Sequence, residues 1–236
     1  IYGMYGDFNT LFWLAFITSA IGLAFTASAK LPHRPPIKKQ ERLSLDRFIL
    51  LKGWSQGLSI ICFAFSYGIL ATYIAIYGKE ELGITSGTGL FFALLAIGLI
   101  CSRLIGSRTL RKGKIVQNAS AGIIIAMLGY LMFAALHNKV GYYGAALVIG
   151  LGNGHMFPAF QTMFINLATN KQRGTANSTM LVSWDIGIGL GILAGGIVAE
   201  HFGYGAAFWS AWVVNVAGML AFFAYGRRAY LKGKLR

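Results

Sequence analysis

The sequence predicts an all-α integral membrane protein, and three observations carry that reading. Seven apolar stretches of spanning length run through the 236 residues. Of the 21 Lys and Arg residues, 19 fall in or beside every second gap between those stretches. Hydrophobic residues make up 56% of the chain and charged ones 12%. An apolar run of about 20 residues crosses the hydrocarbon core as a helix, because only internal hydrogen bonding satisfies the backbone there. Basic loops stay on the cytoplasmic side. A soluble domain of this composition would not stay in solution. The formal charge of +14 would otherwise suggest nucleic acid, but its placement beside apolar spans points to topology and anionic lipid headgroups, so nucleic-acid binding is excluded.

The predicted spans are 9–29, 50–77, 84–105, 116–136, 141–168, 176–199 and 205–226. The chain begins with Ile1 and shows no signal-peptide pattern before the first span, so the sequence reads as a piece of a longer protein. After the first span comes Lys30-Leu-Pro-His-Arg-Pro-Pro-Ile-Lys-Lys-Gln-Glu-Arg42, continuing to Arg47. Its prolines and charges make residues 30–49 a basic cytoplasmic linker. The next inner loop carries Arg103, Arg108, Arg111, Lys112 and Lys114; a third carries Lys171 and Arg173. The tail carries Arg227, Arg228, Lys232, Lys234 and Arg236. The outer loops hold Lys79 and Lys139 with Asp7, Glu80, Glu81 and Glu200. The N-terminus is therefore expected outside and the C-terminus in the cytoplasm of a cell (plasma or inner) membrane.

One span, a linker and six spans is an informative count. The last six divide into 50–136 and 141–226, two three-helix groups inverted with respect to each other, a common build for secondary transporters with a midplane site. Gly187, Gly191 and Gly195 recur every four residues and form one small face for close helix approach. Gly150, Gly152 and Gly154 precede Pro158, where the fifth span is expected to kink or loosen. Cys62 and Cys101 both fall inside spans, with neither a disulfide framework nor metal-ligand spacing.

Asp185 is the sharpest local signal, the one acidic residue well inside a span. About ten residues of helix put it about 15 Å deep, near the midplane. A central Asp costs about 2.5–3.5 kcal/mol by insertion scales, so it should face protein or water. It either carries a proton or binds a cation, or it is a structural carboxyl bonded to Trp184, Ser183 or a neighbouring helix. His155 lies at matching depth, about 18 Å from the outer end of the fifth span. A His–Asp pair there would relay a proton; His155 alone would bind substrate or pack. Asn153 and Gln161 accompany His155, while Gln56, Ser59, Ser66, Tyr67 and Tyr73 run along the second span. Such groups line solute paths or glue helices together. Trp54 and Trp209 read as interfacial anchors. Phosphate loops, H-E-x-x-H, G-x-S-x-G and C-x-x-C are absent from the sequence, so neither an enzyme, a cofactor nor a metal is expected.

Phe65-Ser-Tyr-Gly-Ile-Leu-Ala-Thr-Tyr73, Phe91-Phe92 and Ser102-Arg-Leu-Ile-Gly-Ser-Arg-Thr-Leu-Arg-Lys-Gly-Lys114 resemble stretches of major facilitator superfamily transporters. The similarity is to the bacterial sugar-efflux and multidrug-efflux branch. Gly150 through Pro158 and Gln161, Arg173-Gly174, Asn177-Ser-Thr179 and Asp185-Ile-Gly187 resemble the family's late helices. The resemblance implies that the seven spans correspond to helices six to twelve of a twelve-helix fold. Residues 1–29 would be the last helix of a missing N-terminal half, and 50–236 the C-terminal six-helix half with its tail. The second and fifth spans would line the central cavity, and the third and sixth would face the missing half. The family's inner-loop pattern reads like G-R-L-x-D-[RK]-x-G-[RK]; Arg108, Lys112 and Gly113 fit it, and Arg111 stands where its Asp is expected.

The expected function is transport of a small solute, outward in exchange for protons, by rocking two halves about a midplane site. Asp185 and His155 are the coupling or gating candidates, and Asn153, Gln161, Tyr67 and Gln56 the path candidates. The alternative is a truncated, non-transporting membrane module, or a half that needs a partner half.

Overall fold

The computed structural model describes residues 8–29, 48–84 and 87–235. Residues 1–7 and the linker stretch 30–47 lie outside the described residues. The chain divides into two compact units, 1–42 and 43–236. The first contains α1 (Phe8–Ser28), a helix without a polar face. Three of its hydroxyls return to the helix itself: Thr18 Oγ1 donates to the Leu14 carbonyl at 2.9 Å, Thr26 Oγ1 to Gly22 at 2.8 Å and Ser28 Oγ to Ala24 at 2.8 Å. That is how a hydroxyl is tolerated where no water competes.

The second unit is a helical bundle of α2 (Trp54–Glu80), α3 (Thr88–Arg111), α4 (Ile115–Ala135), α5 (Lys139–Leu167) and α6 (Arg173–Ala221), followed by a π-helical turn (Phe222–Gly226) and α7 (Arg227–Gly233). No strand occurs among the described residues. Among the described residues, five helical stretches are long and apolar enough to cross a membrane: Asn9–Ser28, Leu51–Glu80, Thr88–Arg111, Ile115–Ala135 and Asn170–Gly233. Against the seven spans read in the sequence, this set lacks the fifth and joins the sixth to the seventh. The join is not a continuous helix: the backbone leaves the helical region at Gly203 (φ 85°, ψ 165°), and two arms, 173–202 and 204–221, meet there at a kink. The fifth, within α5, is diluted by Asn153, His155, Gln161 and its glycines. α5 runs through Pro158 as one helix, from Lys139 to Leu167.

Helix ends follow from the sequence. α3 runs past the predicted end at 105 because Arg108 and Arg111 suit its C-terminal dipole. It stops at Gly113 (φ 73°). There Lys114 N donates to Thr109 O at 3.2 Å and Gly113 N to Leu110 O at 2.9 Å, the Schellman pattern that a left-handed residue permits. The motif glycine is thus a stop signal. At the start of α5 the Asn138 side chain accepts from Gly141 N at 2.7 Å, a side-chain N-cap.

Glycines set the packing register. A Cβ at Gly187 would meet Ile61, one at Gly191 the Phe65 carbonyl, and one at Gly195 the Ile69 side chain. The pairs rise together, so α2 runs parallel to the first arm of α6. The predicted small-residue face is real and presses on α2. Ser66 Oγ donates to Ala211 O at 2.7 Å and Gln56 Nε2 to Gly226 O at 2.9 Å, so α2 runs antiparallel to the second arm. α5 has the corresponding pair of neighbours. Gly150 and Gly154 abut Leu95 and Leu99 on parallel α3, while Gly122 and Gly129 of antiparallel α4 abut Met156 and Ile149.

Opposite the basic loops, one ring from each bundle helix closes the core: Tyr77, Phe91, Phe133, Tyr142 and Phe208, with centroids from 4.7 to 6.1 Å apart. Edge-on and tilted pairs of this kind add about 0.5–1.5 kcal/mol each beyond their buried area.

Candidate functional site

Most hydroxyls named in the sequence are spent on local structure. Ser59, Thr179 and Ser183 donate to carbonyls four residues back at 3.1, 2.7 and 2.8 Å. Thr179 also accepts from Leu50 N at 2.8 Å, pinning the entry to α2 against α6. Gln56 is fully buried; its amide holds Gly226, and its Oε1 accepts from Ser55 at 3.1 Å. Read as a path residue in the sequence, Gln56 is here a tie between α2 and the π-helical turn.

On α5, 3.6 residues per turn put Asn153, Phe157 and Gln161 on one side and His155 about 200° round from Asn153. Phe157 stacks edge-on against Trp184 at 5.4 Å, and Trp184 meets Tyr67 at 5.6 Å, so an aromatic run links α5, α6 and α2. Below it, Gln161 Nε2 donates to Asn177 Oδ1 at 2.9 Å. Gln161 also lines a cavity of about 310 Å³ with Arg103, Gly106, Asn118, Phe157 and Pro158.

His155 packs against Gly106, a residue of that cavity's lining, since a Cβ at Gly106 would lie 3.1 Å from both its Cδ2 and Asn118 Oδ1. Its Nδ1 lies 2.9 Å from the Leu151 carbonyl, where a protonated Nδ1 donates. Asn118 Nδ2 donates to the His155 carbonyl at 2.9 Å, which fixes α4 to α5 beside the imidazole. Asn118→Leu should therefore loosen this joint by about 0.6–2 kcal/mol. A lowered thermal midpoint in detergent checks it, with an unchanged midpoint counting against the joint.

Asp185 is elsewhere. It lies on the exposed side of α6 among Leu181, Val182 and Ile186, themselves 42–50% exposed, and has no hydrogen-bond or ion-pair partner among the described residues. The expected pairing with His155 is not formed, and neither Trp184 nor Ser183 bonds to the carboxylate. α3 presents a comparable uncovered apolar side through Ile97, Ile100, Leu104 and Ile105. The inner-loop Arg103, Arg108, Arg111 and Lys112 are exposed as well.

One residue was missed in the sequence. Tyr130 of α4 is 3% exposed, and its hydroxyl has no hydrogen-bond partner. Tyr67 and Asn153 are near enough to act on it electrostatically, yet Asn153 falls outside hydrogen-bonding geometry. Trp212 Nε1 and Asn215 Nδ2 on the second arm of α6 are buried donors in the same condition. A lone tyrosine in an apolar helix gives no periodic signal; only its neighbours across the bundle mark it.

Known proteins place this architecture. A POT family transporter, PepTSo, solved by in meso crystallography, matches with a TM-score of 0.63 over 76% of this chain and 38% of its own, at 18% identity, which speaks to fold alone. An uncharacterised MFS-type transporter of Pseudomonas aeruginosa is 28% identical over 223 residues, 92% of this chain and 52% of its own length. Another, from Burkholderia mallei, is 29% identical over 229 residues, 93% of this chain and 55% of its own. The chain thus spans about half the length of these relatives. The family model of the Major Facilitator Superfamily matches residues 1–191 and 149–235. With its apolar helices and this match, the chain is a multi-pass membrane protein that belongs to the Major Facilitator Superfamily, a family of transporters and not of enzymes.

Proposed function

We propose that the chain supplies the C-terminal six-helix half of a secondary transporter, preceded by the last helix of the other half and the basic linker. The complete protein exports a small solute against protons by alternating access. The observation that carries this reading is Asp185, a carboxylate without a partner on an exposed apolar helix side. Left against lipid it would cost about 2.5–3.5 kcal/mol, so that side is covered by protein or water in the working molecule. A second helical half with a water-filled seam provides both. Asp185 and His155 then serve coupling and gating from separate positions, and Asn153, Gln161 and Tyr67 border the solute path. Tyr130 joins them, because an unpaired buried donor is where a solute acceptor or a second conformation contributes most.

The reciprocal packing supports the inverted repeat. The first helix of each three-helix group lies against the second and third of the other group, parallel to one and antiparallel to the other, as a pseudo-two-fold axis in the membrane plane requires. Counting the arms of α6 separately supports seven crossings, and the basic loops support an N-terminus outside and a tail in the cytoplasm of the cell membrane.

The test is solute accumulation in everted vesicles holding the protein expressed from its whole reading frame, across a panel of sugars and amphipathic drugs. Accumulation should collapse when an ionophore dissipates the proton gradient; accumulation that survives the ionophore removes the proton from the account. The second reading is a half that assembles with a separately encoded partner. Coding DNA upstream of Ile1 separates the two: about five further spans in frame fit the first, and an immediate stop codon the second.

A further inference from the structure

The basic end of the bundle carries a cavity of about 490 Å³ between the first turn of α4, the last turn of α5 and α7. Lys114, Arg227 and Lys234 line it with Gln117, Asn166 and Tyr230. Among the described residues, no carboxylate lines it. The acidic residues among those described are Glu80, Glu81 and Glu200 at the opposite end and Asp185 within α6. Three like charges around one cavity repel each other unless an anion sits between them.

The neutral groups add donors. Lys114, at the N-cap of α4, makes no side-chain cap, so the first N–H groups of that 21-residue helix lack an acceptor in their own helix. Ile115, Val116 and Gln117, which carry them, line the cavity. Tyr230 is 2% exposed; its Oη accepts from Asn166 Nδ2 at 3.1 Å, which leaves its O–H proton without an acceptor among the described residues. Leu235 N donates to Asn166 O at 2.8 Å, fixing the backbone beside Lys234. Leu231, on the same cavity, is 48% exposed and gives it an apolar edge.

We propose that this cavity binds a phosphate group, carried either by an anionic membrane lipid or by a soluble phosphorylated molecule. Cations, helix N–H groups and a tyrosine hydroxyl make a donor-rich cradle, and phosphate's several oxygens can engage all three kinds at once. The site is separate from Asp185 and from the His155 joint.

The chain purified into phosphatidylcholine nanodiscs tests this by its thermal unfolding midpoint. One arm adds phosphatidylglycerol to the bilayer. The other adds inorganic phosphate, with chloride at equal ionic strength as its reference. A rise in either arm is expected, and the arm that responds names the source. Lys114→Gln/Arg227→Gln/Lys234→Gln should weaken the responding ligand at least tenfold. The equal-charge change Arg108→Gln/Arg111→Gln/Lys112→Gln, outside the cavity, should leave it within about twofold. Tyr230→Phe, which keeps the ring and loses only the hydroxyl, should weaken it by itself and covers the case of a misfolded triple variant. Equal responses in both triple variants, an unchanged affinity in Tyr230→Phe, or no rise in either arm would each overturn the proposal.

Discussion

Replacing Asp185 with asparagine is expected to abolish proton-driven accumulation while the protein still inserts and folds. The substitution keeps size and shape and removes only the charge. A buried structural carboxyl would be missed by its partners, but Asp185 has none among the described residues, and its neighbours Leu181, Val182 and Ile186 are apolar and exposed. Insertion should therefore proceed at least as well in the variant, since a neutral amide is cheaper than a carboxylate at that depth. Accumulation against a gradient should fall at least tenfold, and its dependence on pH should flatten. Downhill solute exchange should persist, because the solute path is bordered by other residues. Normal accumulation by the variant across the whole pH range would end the proton role of Asp185.

The largest stability effect is expected at Gly191, and Gly189 on the same helix is its control. A Cβ at Gly191 runs into the Phe65 carbonyl and backbone of α2, whereas one at Gly189 meets nothing within 4 Å. Backbone cannot swing aside as a side chain can, so Gly191→Ala must part α2 from α6. Overpacking of that kind costs about 1–3 kcal/mol, and Gly191→Leu should prevent the folded bundle from forming. Gly189→Ala should be neutral or stabilising by up to about 1 kcal/mol, from helix propensity alone. Thermal midpoints of the two alanine variants in detergent decide it. Equal shifts would mean that the close approach of α2 and α6 does not hold the bundle.

What could be read from the sequence tracks how local its cause is. The helices were legible because apolar runs and basic loops obey the bilayer residue by residue. The glycine face at Gly187, Gly191 and Gly195 was legible because four-residue spacing defines one side of a helix wherever the partner lies. Gly113 could be placed in its motif, and the structure adds why: the turn there needs positive φ. The break between the sixth and seventh spans was legible, since a glycine between two apolar runs reads as a boundary, and the backbone leaves the helical region at Gly203. The site was less so. Depth along a helix is one-dimensional, and it put Asp185 and His155 at one level without saying which way each faces. His155 is turned to Gly106 and Asn118, and Asp185 to the exposed side of α6. Gln56 reads as a path candidate in the sequence, and only the fold brings its amide to the Gly226 carbonyl. Tyr130 depends on Tyr67 and Asn153, residues that only the fold brings near it.

Coupling runs in both directions, and this gives the most direct test of proton-coupled transport. Proteoliposomes carrying the protein from its whole reading frame, with a pH-sensitive dye inside and no imposed proton gradient, would receive a transported solute as a sudden gradient. The account predicts that solute moving down its gradient drives protons the opposite way, as a transient pH change that Asp185→Asn abolishes. Solute entry at full rate with no pH change, in the unsubstituted protein, would contradict it.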